Sequence, residues 1–73
     1  MITSNLLIET FKTRVEFNLT FNKSPSEHAQ FINGLRSGLS SLAYSMDEDV
    51  AQEEIARLYD YYLDLVYSEK VQL

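Results

Sequence analysis

Four consecutive residues, Ser24-Pro25-Ser26-Glu27, limit what this chain can fold into more than any other stretch. Ser24 can cap the first free amides of a helix, Pro25 suits the first helical position, and Glu27 can reach back to close a capping box. A helix is therefore expected to start here. At roughly 100° per residue, Phe31, Ile32, Leu35, Leu39, Leu42, Ala43 and Met46 gather on one face, which extends this first helix over 24–46.

Both glycines of the chain, Gly34 and Gly38, fall inside that helix, and with Ser41 and Ser45 they line the flank beside its apolar face. Two readings stand side by side. Small residues on one flank let another backbone approach closely, as in small-xxx-small helix pairs. Alternatively, Asn33-Gly34 ends the helix and residues 35–41 form a turn between shorter helices. The first reading makes Gly34, Gly38 and Ser41 candidate dimer contacts.

Ser45-Met46-Asp47-Glu48 offers a second capping box, with Asp47, Glu48 and Asp49 in a first turn where the helix dipole favours acids. The second helix is expected over 47–70, leaving a tail at 71–73. Ala51, Ile55, Leu58, Tyr59, Tyr62, Leu63, Leu65 and Val66 form an apolar arc spanning nearly half the circumference. Such an arc predicts contact on more than one side. Only a strip of Glu53, Arg57, Asp60, Asp64 and Ser68 is plainly for water, with Glu53 and Arg57 at the favourable i, i+4 spacing.

Residues 13–22, TRVEFNLTFN, alternate strictly, with Val15, Phe17, Leu19 and Phe21 on one side and Arg14, Glu16, Asn18 and Thr20 on the other. That is the period of a half-buried strand. Residues 2–11 read as a second strand or as an arm that pairs with another subunit, although no Gly, Pro or Asn marks a connection around Lys12. The expected fold is α+β: a single small domain, 1–73, with a strand or hairpin region at 1–23 followed by two amphipathic helices (β-β-α-α). A chain this short supplies little core of its own, and with no cysteine and one histidine it has neither a disulfide nor a zinc clip. Dimerisation is the remaining remedy, through the strand residues Phe17 and Leu19, the glycine flank, or both.

Charge narrows the partners. Residues 1–46 carry four basic and three acidic side chains, whereas residues 47–73 carry two basic and eight acidic. The acidic last third repels nucleic-acid phosphates and anionic membrane and favours a basic protein partner. No stretch has the apolar length of a membrane span, and the first residues do not resemble a secretory signal, so a cytoplasmic location is expected.

Chemistry finds little to use. His28 is the only imidazole, one turn into the first helix, and reads as structural or as a surface residue rather than as a base. The acids of 47–54 lack the spacing and central glycine of a calcium loop, and no phosphate-cradling glycine motif occurs. No enzyme activity, cofactor or metal is expected. Tyr61 and Tyr67, on the margins of the acidic strip, are the residue type that anchors protein contacts.

A strand followed by two helices is similar in order to the ribbon-helix-helix repressors, and TRVEFNLTFN followed by SPSE carries that similarity. It implies strands paired between subunits, with Arg14, Glu16, Asn18 and Thr20 turned toward the major groove. The acidity and the absence of basic support for phosphate contact depart from that family. Many regulators and inhibitors of phages and other mobile elements share this small, acidic, cysteine-free composition. The leading expectation is thus a non-enzymatic, homodimeric regulator or inhibitor. It would meet a protein partner through Glu53, Arg57, Asp60, Asp64, Tyr61 and Tyr67. A DNA mimic, whose acids imitate phosphates, is the other alternative.

Overall fold

The computed structural model describes residues 3–71, with side chains through residue 68, and builds them from helices alone. They are α1 (Ser4–Asn18), α2 (Pro25–Ser45) and α3 (Asp49–Val71). The α+β expectation is overturned: neither the strand at 13–22 nor a second strand at 2–11 forms among the described residues.

The reason lies in a competing period. Leu7, Phe11 and Val15 recur every four residues, and Asn18 follows three later, so all four share one helical face and are buried. Thr3 caps this helix by accepting from the Leu6 amide at 3.2 Å. Burial of Leu7, Phe11 and Val15 contributes roughly 1.5–3 kcal/mol per side chain. An isolated hairpin has no second layer to bury its apolar face and is marginal in water. The alternating set is accordingly dispersed: Val15 enters the core, Leu19 caps α1 and packs against the core, while Phe17 and Phe21 are 64% and 48% exposed. The set read as facing the major groove is dispersed as well. Asn18 is buried, and the Glu16 carboxylate accepts from the Tyr62 hydroxyl at 2.9 Å. Among the described residues the strand pairing on which the ribbon-helix-helix resemblance rests does not occur.

α2 begins where the sequence places it. The Glu27 amide donates to Ser24 Oγ at 3.2 Å, and the Ser24 amide donates to Glu27 Oε1 at 3.1 Å. The Ser24 amide, followed by the Ser24 hydroxyl, holds the Glu27 carboxyl below its ordinary range. The helix then runs unbroken through both glycines, neither of which has a positive φ.

The second capping box does not form. Ser45 is the last residue of α2, and the turn is a Schellman motif: the Glu48 amide donates to the Ala43 carbonyl at 2.8 Å and the Asp47 amide to that of Tyr44 at 3.1 Å. Asp47 takes a positive φ of 56° to make it. α3 therefore starts at Asp49 rather than at 47, with the Glu48 carbonyl accepting its first bond, from the Gln52 amide. Of the tail expected at 71–73, Val71 belongs to α3 and residues 72–73 lie outside the described residues.

Three polar contacts give the topology. Ser4 Oγ donates to the Glu48 carboxylate, Asn18 meets His28, and Glu16 meets Tyr62, so α1 runs antiparallel to α2 and parallel to α3. The broad apolar arc of α3 is explained by this arrangement, because both other helices pack on it. Ala51, Ile55, Leu58, Tyr62 and Val66 close the core against Leu7, Phe11 and Val15 of α1 and Ile32 and Ala43 of α2. The bundle measures 42 × 18 × 16 Å.

Candidate functional site

On α3 the 3.6-residue period sets the side chains opposite the core in one outward stripe, and Glu53, Arg57, Asp60 and Asp64 are all exposed there. Tyr61 and Tyr67 flank the stripe at 56% and 47% exposure. The sequence thus places these six residues on one surface, but it misassigns one pairing. Arg57 turns to Glu54, not Glu53, with Nε 2.8 Å from Glu54 Oε1 and the neighbouring terminal nitrogen on Oε2. That fork holds the Glu54 carboxyl below its ordinary range. Being exposed, the pair adds little to stability.

The tyrosines divide by role. Tyr62 is buried, its ring 6.0 Å from Phe11, and burial followed by the Glu16 hydrogen bond pushes its phenol above the usual tyrosine range. Tyr59 is half-buried between helices; its hydroxyl donates to Asn33 Oδ1 at 3.4 Å and its ring lies 4.7 Å beneath the Arg36 guanidinium. Tyr61 meets the Tyr62 ring edge to face, and Tyr67 borders a shallow groove between α2 and α3 with Ala29, Tyr59 and Leu63.

The expected dimer contacts do not form one surface. Gly34, Gly38 and Ser41 are exposed on the outer face of α2, and a Cβ added at either glycine would meet nothing within 4 Å. Leu19 is committed to the core. Phe17 stands at the other side of the bundle's first connection, in a cleft of about 440 Å³ with Arg14, Asn18, Phe21, Lys23 and Phe31. Phe17 and Phe21 meet edge to face, centroids 5.1 Å apart. Sequence reasoning missed this cleft by setting Phe17 and Phe21 on the apolar face of a strand and Phe31 on the core face of α2. The i, i+4 spacing of Phe17 and Phe21 was a signal for that pair alone, and nothing in the sequence joins Phe31 to them.

His28 is buried and structural. Its Nδ1 lies 2.8 Å from Asn18 Oδ1, also buried. Because Oδ1 only accepts, Nδ1 carries the proton in this arrangement. The pair fastens the end of α1 to the first turn of α2. Among the described residues no three His, Asp or Glu side chains gather closely enough to hold a metal ion.

No protein-family model matches the chain, and no curated protein or solved structure matches it.

Proposed function

We propose that this chain is a non-enzymatic protein-binding module, a regulator or inhibitor that acts by occupying a partner, and that α3 presents its acidic, tyrosine-edged stripe to a basic surface. One observation carries the reading. Tyr61 and Tyr67 expose large aromatic surfaces beside Glu53, Asp60 and Asp64, whereas Tyr59 and Tyr62 of the same helix are engaged in holding the bundle. Exposed tyrosine next to acid supplies both halves of a protein contact: apolar area with little side-chain entropy to lose, and charge that steers a basic partner.

The test is co-purification from nuclease-treated host lysate with tagged wild type, with Tyr61→Ala/Tyr67→Ala, and with Asp60→Asn/Asp64→Asn. The expected result is one stoichiometric protein, released by moderate salt, that both variants lose while their helical circular dichroism is unchanged. A partner held equally by all three forms would refute the assignment of this face.

A further inference from the structure

Three phenylalanines crowd the end of the bundle where α1 passes into α2. Phe17, Phe21 and Phe31 are 64%, 48% and 39% exposed and line the same cleft. Keeping that much aromatic surface in water is unfavourable, and contiguous exposed apolar patches mark contact sites. One lining residue is fixed, because Asn18 is buried and held by His28. Arg14 and Lys23 complete the lining, and no acid joins them.

Among the described residues no ion pair engages the cations on this rim, although Lys23 lies near enough to Glu27 to help hold that carboxyl below its ordinary range. Lys12 pairs with Glu9, Arg57 pairs with Glu54, and Arg36 lies over Tyr59. Among the described residues, Arg14 and Lys23 have neither an ion pair nor an aromatic partner. In a chain of net charge -5, two cations without an ion pair among the described residues therefore border the three exposed phenylalanines.

We propose that this cleft docks an acidic, apolar segment of a partner protein, its large apolar side chains set among the phenylalanines and its carboxylates against Arg14 and Lys23. Charge selects this occupant over a second copy of the chain. Two copies joined cleft to cleft would bring two Arg14 and two Lys23 side chains together. The chain's own acidic stripe lies on the outer face of α3, away from the α1–α2 side, so stripe-to-cleft contact would propagate head to tail instead of closing. Charge also selects it over single-stranded nucleic acid, whose phosphates would extend past two cations toward an acidic molecule. This site is independent of the α3 stripe and carries the opposite charge.

Fluorescence anisotropy with a labelled synthetic peptide of alternating Asp/Glu and Leu/Phe tests it. The comparison probes are the same peptide with Lys in place of the acids, the same peptide with Ser in place of Leu/Phe, and an oligothymidylate. Wild type should bind the acidic apolar peptide, more weakly as salt rises, and bind each of the others at least roughly tenfold less well. Phe17→Ser/Phe21→Ser should lose that binding by a similar factor. Arg14→Glu/Lys23→Glu, which leaves the phenylalanines in place, should shift the preference to the Lys peptide. All four positions are exposed, and unchanged helical circular dichroism verifies folding. Equal binding by wild type and both variants, or preference for the Lys peptide or the oligonucleotide, would overturn the proposal. So would a wild-type dimer in sedimentation equilibrium that Phe17→Ser/Phe21→Ser converts to monomer.

Discussion

The entrance of α2 and the stretch from its middle to its end are built to different standards. At the entrance, the capping box makes both of its hydrogen bonds and Pro25 occupies the first helical turn. From the middle onward the choices reverse. Gly34 and Gly38 sit in ordinary helical conformation in open space, where alanine would fit, while Asp47 holds the left-handed position that glycine usually fills. The contrast shows that the chain specifies where α2 starts and leaves stability unclaimed along its outer flank and in the turn after it. Local inconsistency of this kind gathers at functional or strained sites, while capping and packing elsewhere maintain the fold.

The most direct way to break the contrast is to make the middle of α2 as helix-favouring as its entrance. Glycine costs an exposed helix interior about 1 kcal/mol relative to alanine, so Gly34→Ala/Gly38→Ala should stabilise the chain by about 2 kcal/mol in urea unfolding. The structure contains nothing for the added methyl groups to strike. A loss of stability, particularly one that depends on protein concentration, would show that a second backbone lies against this flank and that the glycines serve that contact.

Next in size is the entrance itself. Ser24→Ala removes the acceptor of the Glu27 amide and should cost about 1 kcal/mol. The same change would be nearly silent if packing alone set the start of α2.

How far the sequence could be read follows the same division. The start of α2 was legible because four adjacent residues carry the whole mechanism. The acidic stripe was legible because a helical period, once assigned, determines which residues share a face. α1 was misread because residues 13–22 satisfy two periods, and the tie is broken outside that window by Leu7 and Phe11, eight and four residues before Val15. The missing turn former around Lys12 was the local sign that no hairpin could form there. Arg57 had two carboxylates within one turn, and side-chain spacing alone does not choose between Glu53 and Glu54. The aromatic cleft was illegible for a different reason: its residues come from α1, the connection and α2, and only the antiparallel packing of the two helices joins them. The turn at Asp47 was hidden because an acid just before a helix reads equally well as part of its N-terminus.

That double identity makes Asp47 the finest test of the contrast. As the left-handed residue of the Schellman turn it bears a conformational cost that glycine would remove; as an acid it stands between the negative end of the α2 dipole and the positive end of the α3 dipole, which act on its charge in opposite senses. The charge terms offset, so Asp47→Gly should gain about 0.5 kcal/mol by relieving the backbone. Asp47→Ala, which keeps the strain and gives up the short polar side chain that suits this conformation, should be destabilising by about 0.5 kcal/mol. Asp47→Asn tolerates the same conformation without charge and should match the wild type at low and at high salt. If all three variants unfold at the wild-type urea midpoint, the turn carries no cost, and the contrast between the two parts of α2 reduces to its glycines.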